Sequence, residues 1–220
     1  MPKLQSTSML KTMIKASQMA NLTDARYFAA WGVEYMGFCI DPNAAEALSI
    51  TEFKAMKEWL VGPQIVGEFM GLNQTEELLP WIEKLGLQAI QLGPFSSLSA
   101  AKELAQHTQI IKEDVLESLD DLSNLASTYA EWQAYTTLFL LDLERNNMHW
   151  KDLTPQQKAQ LAELAQTYPL CLSLPFEASE LDDILALGIK GLSLKGGEEE
   201  KVGYKSFDEL DDIYEVLMED

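Results

Sequence analysis

One unit occupies residues 13–38, MIKASQMANLTDARYFAAWGVEYMGF: a short apolar strand, a polar turn, an amphipathic helix and a second strand. The rest of the chain repeats it. Met13–Ser17 alternates as a strand does, and the period of two puts Lys15 and Ser17 on one side. Asn21 is placed to cap the next helix, Asp24 sits in its first turn where an acid favours the dipole, and Gly32 ends it. The pattern then predicts strand and helix in turn over 34–40 and 50–60, 64–70 and 75–85, 88–92 and 98–106, and 108–112 and 116–131. It continues over 134–141 and 155–167, 170–174 and 178–187, and 189–194 and 207–218. That makes eight strand-helix units.

Eight alternating units favour a closed α/β barrel, a single (β/α)8 TIM barrel, over an open doubly wound sheet. At 220 residues the barrel is compact against a typical size of about 250. Several strands are near-continuous apolar runs, as in TTLFLL around residue 139, which suits strands covered on both faces. On the second helix Phe53, Met56 and Leu60 are spaced for burial, with Glu52 and Lys57 left for water. No linker divides the chain: residues 1–10 read as a polar extension and 11–220 as the barrel.

Chemistry in such a barrel sits at the carboxyl ends of the strands. The residues to weigh are Ser17 and Gln18, Asp41, Gly71, Gly93, Glu113 and Asp114, Asp142, Pro175 and Glu177, and Lys195-Gly196-Gly197.

Here the chain resembles the phosphoribosylanthranilate isomerases. Lys15-Ala16-Ser17-Gln18 is similar to that family's Lys-x-Cys-Gly, and Asn21-Leu22-Thr23-Asp24-Ala25 to its following turn. The stretch from Trp31 to Phe38 is similar to its second strand, Ile65-Val66-Gly67-Glu68-Phe69-Met70 to its Val-Val-Gly-Val-Phe-Val, and Gln91-Leu92 to its Gln-Leu-His. Leu140-Leu141-Asp142 resembles the sixth strand, and Gly196, Gly197, Glu198, Gly203 and Lys205 its last glycine-rich stretch. These fragments keep the family's order and spacing from Lys11 onward.

The resemblance implies an Amadori rearrangement of N-(5-phosphoribosyl)anthranilate in tryptophan biosynthesis, with no metal and no organic cofactor. A general acid and a general base must flank the reacting atoms. By resemblance Asp142 is the acid, and the base position, a cysteine in the family, is Ser17. A lone hydroxyl ionises too reluctantly to replace a thiol. Lys15 is a substitute base if burial lowers its pKa; otherwise it pairs with a mouth acid such as Asp142 or Glu113, and Ser17 satisfies a turn amide. Glu46 falls near the family's carboxylate-binding arginine, and Gly93 stands for its histidine. Arg145 either replaces a lost cation or is solvated. Phosphate and substrate binding fall to Ser193, Lys195, Gly196, Gly197 and Gln91, weakened by Pro175, which offers no amide, and by the acids from Glu198 onward.

Sixteen basic against thirty-five acidic residues give a net charge of −19, which disfavours nucleic acid and anionic membrane as partners. With no apolar run of transmembrane length and no signal pattern, the expected location is the cytoplasm. Cys39 and Cys171 read as buried free thiols, and His107 and His149 are too far apart in sequence to suggest a metal site. Two functions remain open. One is a divergent isomerase, monomer or homodimer, acting on a small phosphosugar; the other is a non-catalytic barrel that binds a metabolite or a protein.

Overall fold

The computed structural model describes residues 10–196, 199–201 and 204–218. Its core is a closed barrel of eight parallel strands in sequence order: β1 (Met13–Ser17), β2 (Tyr35–Cys39), β3 (Gln64–Phe69), β4 (Ala89–Leu92), β5 (Gln109–Val115), β6 (Leu138–Asp142), β7 (Leu170–Ser173) and β8 (Gly191–Lys195). The last strand returns to the first in register, Met13 opposite Gly191 and Ser17 opposite Lys195. At residue 191 any side chain would run into the Met13 backbone, so glycine lets the closing strands approach. Helices α1 (Leu22–Ala30), α2 (Ile50–Lys57), α3 (Thr75–Leu85), α4 (Leu98–Leu104), α5 (Leu122–Trp132), α6 (Pro155–Thr167), α7 (Leu181–Leu185) and α8 (Asp208–Leu217) wrap it. The (β/α)8 reading therefore holds.

Helix starts follow local chemistry. Asn21 accepts from the Asp24 amide, Ser49 and Glu52 form a reciprocal capping box, and Thr154 caps α6 just before Pro155. Gly86 ends α3 in the left-handed region at φ 58°, where a side chain is disfavoured.

Period-two alternation sorts each strand between two cores. Phe139 and Leu141 of β6 point out to the helices, whereas Leu138 and Leu140 join Tyr35, Val66, Ala89, Ile111 and Cys171 inside. The acidic face of α8 is wet, while Leu210, Ile213, Tyr214 and Leu217 are buried. Trp31 stacks on Tyr214 at 4.4 Å between ring centroids, and Tyr27 donates to Asp211. These contacts tie α8 to α1 across the barrel seam.

Several boundaries differ from the sequence expectation. The fifth strand runs on to Val115, so Glu113 and Asp114 lie within it. The second helix stops at Lys57, leaving Leu60 beyond it and Trp59 and Val61 exposed. The fifth and seventh helices each begin with a 3-10 turn, at Leu119–Asp121 and Ala178–Glu180. Of the extension, residues 1–9 lie outside the described residues, and Leu10 bridges to Met218. No helix among the described residues is long and apolar enough to cross a membrane.

Candidate functional site

Above the apolar interior layer, the same alternation brings polar side chains to the carboxyl ends of the strands. β1 contributes Lys15 and Ser17, β3 Glu68, β4 Gln91, β5 Glu113, β6 Asp142, β7 Ser173, and β8 Ser193 and Lys195. All but Lys195 are buried.

Lys15 is fully buried, and its Nζ lies 2.6 Å from Glu68 Oε1 and donates to Ser17 Oγ at 2.5 Å. The Ser17 and Ser193 hydroxyls are 2.6 Å apart. β1 and β3 are alternate strands, which supply one interior layer of such a barrel, and β2 between them leaves room with a glycine. A Cβ at Gly37 would collide with Glu68 Oε1. The other oxygen of Glu68 accepts from the Gln18 amide. Gln18 is held in the left-handed region at φ 56°, so the turn that the resembling family makes with glycine is made here by a residue that strains to adopt it.

The loop after β6 closes the mouth from above. The Arg145 amide donates to Asp142 Oδ1 at 3.0 Å, while its guanidinium lies 3.7 Å from Asp142 Oδ2 and 3.4 Å from Glu113 Oε1. The same guanidinium rests 3.8 Å from Met70 Sδ. Lys195 Nζ pairs with Glu144 at 3.1 Å, and Ser173 donates to the same carboxylate. The space left between these groups is about 10 Å3. Two acceptors on its wall, Gln91 Oε1 and Glu113 Oε2, receive no hydrogen bond from the described residues.

Burial pushes the Glu113 carboxyl above its ordinary pKa; Arg145 and Gln91 oppose this, and the charges of Asp142 and Glu68 reinforce it. Neither thiol is poised to ionise. Burial pushes Cys171 up to about 12, and Cys39 is raised by burial and by the negative charge of Glu68, Asp41 and Glu46.

The candidates Lys15, Ser17, Gln91, Asp142, Arg145, Ser193 and Lys195 thus come together at one mouth, with Gly196 just past β8. Gly197, Glu198 and Gly203 lie outside the described residues. Three expectations need correction. Lys15 does pair with a mouth acid, but that acid is Glu68 on β3, which reaches it past Gly37, and not Asp142 or Glu113. Ser17 bonds two side chains and, among the described residues, no turn amide. Arg145 is part-exposed to solvent but not free, since its guanidinium sits beside two carboxylates. Sequence reasoning missed Glu68, Ser173 and Glu144. For Glu68 the signal was there: an acid inside an apolar strand, where the resembling family has valine.

The largest open spaces lie beside and below this centre. One of about 650 Å3 adjoins it, lined by Ser193, Lys195 and Glu144 of the mouth together with Leu174, Phe176, Asp208, Glu209 and Ile213 between β7, β8 and α8. The other, about 1000 Å3, opens at the amino-terminal end of the strands between Trp31, Tyr168 and Lys190, the face that in this architecture carries stability rather than chemistry. No group of three or more metal-ligating side chains is set to hold an ion among the described residues.

No protein-family model and no curated protein matches the chain. Solved structures do. The phosphoribosylanthranilate isomerase from Thermus thermophilus is 25% identical, with a TM-score of 0.73 over 93% of this chain and 98% of its own. The N-(5'-phosphoribosyl)anthranilate isomerase from Pyrococcus furiosus is 14% identical, with a TM-score of 0.72 over 94% and 98%. A phosphoribosylanthranilate isomerase in complex with reduced 1-(o-carboxyphenylamino)-1-deoxyribulose 5-phosphate is 18% identical, with a TM-score of 0.72 over 94% and 98%. Over nearly its whole length the chain is similar in structure to these phosphoribosylanthranilate isomerases and shares their (β/α)8 fold, at 14–25% identity.

Proposed function

We propose that this barrel keeps the isomerase architecture and has lost the isomerase step, so that it serves as a non-catalytic binding barrel. The observation that carries the reading is the filled mouth. A phosphoribosyl group joined to anthranilate needs a pocket of several hundred cubic ångströms, whereas the space that Ser17 and Asp142 both line is about 10 Å3, and the adjoining 650 Å3 cavity at Ser193 and Lys195 is lined by neither of them.

The chemistry points the same way. A base must hold a free lone pair at the substrate, but Lys15 Nζ is engaged by Glu68 at 2.6 Å and by Ser17, and no second base stands beside the Ser17 hydroxyl among the described residues. At the phosphate end Lys195 is engaged by Glu144, Pro175 offers no amide, and Asp208 and Glu209 add negative charge. Asp142 at the end of β6 is the one feature that favours a working isomerase with a replaced base.

The product analogue carried by one of the compared structures tests binding directly. A competent site filled at a hundred times its Kd gains about 2.7 kcal/mol, which for a chain of this size raises Tm by about 5–10 °C. For this protein the expected rise with 1-(o-carboxyphenylamino)-1-deoxyribulose 5-phosphate in reduced form is nil. A saturable rise of several degrees would overturn the reading.

A further inference from the structure

We propose that the barrel mouth is a receptor for a small organic cation, a guanidinium or primary ammonium group on a short alkyl chain, and that Arg145 is a built-in occupant which this ligand displaces. The proposal deepens the reading of the mouth as a binding site that no longer serves the isomerase reaction.

Three observations support it. First, Gln91 and Glu113 line the cavity at only 5% and 1% exposure, and although the Gln91 side chain supports the Glu113 carboxylate, Gln91 Oε1 and Glu113 Oε2 each lack a hydrogen-bond partner among the described residues. Buried acceptors call for donors. An ammonium brings three and a guanidinium five, whereas a phosphate dianion brings none. Second, the mouth is acid-rich: the carboxylates of Glu68, Glu113, Asp142 and Glu144 face the cations of Lys15, Arg145 and Lys195, four against three. A ligand that takes the place of Arg145 keeps that balance only if it is itself a cation.

Third, Arg145 is held loosely. Its contacts at 3.4 and 3.7 Å are longer than the 2.7–2.9 Å of a good charge-assisted bond, and its side chain is 35% exposed. Lys15, by contrast, has no exposure and a 2.6 Å partner, so it forms the fixed floor of the well. When the Arg145 side chain turns out to solvent, it uncovers a slot between the Glu113 and Asp142 carboxylates that already suits a guanidinium. Met70, now under that guanidinium, is left for the ligand's alkyl chain.

Calorimetric titration of the full chain at constant ionic strength tests this, with butylguanidinium and butylammonium chloride as probes and ribose 5-phosphate as the anionic control. Wild type is expected to bind a cation saturably at one site. Arg145→Ala, freed of its tethered competitor, should bind at least about tenfold more tightly, and adding Glu113→Gln should remove at least about tenfold by loss of a charged acceptor. Arg145→Gln serves in place of the alanine variant if that one does not fold. Flat cation titrations for wild type and both Arg145 variants, as when a single water satisfies the two oxygens, would overturn the proposal. So would tightening that Glu113→Gln leaves untouched, or a preference for ribose 5-phosphate. Isomerase turnover is a separate readout: its appearance would overturn the loss of the reaction, whereas flat titrations without turnover would overturn the cation receptor alone.

Discussion

Glu68→Ala is expected to destabilise the barrel by about 3–5 kcal/mol, the usual result of leaving one charge of a buried pair without its partner. Lys15 has no exposure and Glu68 almost none, so water cannot solvate the ammonium once the carboxylate is gone. Ser17 Oγ would remain as an acceptor, and one hydroxyl does not offset a full charge. For a protein of this size the loss corresponds to a fall in Tm of roughly 6–20 °C. The pair itself is a weak source of stability, because desolvating both ions opposes their attraction. Lys15→Met combined with Glu68→Leu should therefore recover most of what the single substitution loses, and urea unfolding of the two variants makes the comparison. A loss below about 1 kcal/mol in Glu68→Ala would mean that water reaches the pair. The glycine at position 37 belongs to the same device, since it clears the space that Glu68 fills.

Asp41→Asn should cost about 2–4 kcal/mol at neutral pH. This carboxylate is buried just past β2 and holds the chain after β3: Oδ1 accepts from the Asn43 amide, and Oδ2 from the amides of Met70, Gly71 and Leu72. Asparagine keeps one acceptor oxygen and turns an amino group toward donors that need an acceptor. Burial alone would raise the pKa of Asp41, but the four amides outweigh it and hold the carboxyl below its ordinary value. Folded Asp41 therefore binds its proton less readily than unfolded Asp41. Its stabilisation is complete above the unfolded pKa, near 3.9, and is lost as pH falls through the lower folded value. The gap between wild type and Asp41→Asn should be full at pH 7 and shrink below about pH 4. Glu113 has the opposite sign, its raised folded pKa giving stability below its unfolded value near 4.3 that fades as pH rises through the folded one. It is common to both proteins and cancels in the difference. Urea midpoints measured at pH 7, 4 and 3 would contradict this if the gap stayed constant.

The barrel was legible in the sequence because its signals are local. Alternation in LFLLD, the Asn21 and Thr154 caps and the glycines at 32 and 86 each act within a few residues, and together they fix strands, helices and turns. Which side chains meet at the mouth is set by the shear of the closed barrel, and no single strand encodes that. Lys15 and Ser17 share a face by strand geometry alone, and they do meet. Glu68 is 53 positions away and reaches Lys15 only because two strands of one layer flank a glycine. Helix ends slipped where packing overrode pattern. Leu60 keeps the helical spacing, yet the chain leaves α2 at Lys57, whose ammonium bonds the carbonyl of Leu85 at the end of α3. Arg145 and Glu144 sit in a loop without periodicity, and their partners on β5, β7 and β8 follow from where the closed barrel brings those strands.

Turnover of freshly prepared N-(5-phosphoribosyl)anthranilate, followed by loss of anthranilate fluorescence, tests the loss of the isomerase step most directly. With little space between Ser17 and Asp142 and with Lys15 engaged by Glu68, no rate above buffer is expected from wild type, and none from Ser17→Cys, since a restored thiol still meets no substrate. Turnover by wild type that Asp142→Asn abolishes would contradict this: the mouth would then open to a phosphosugar, and the barrel would be a working isomerase with another base in place of the cysteine.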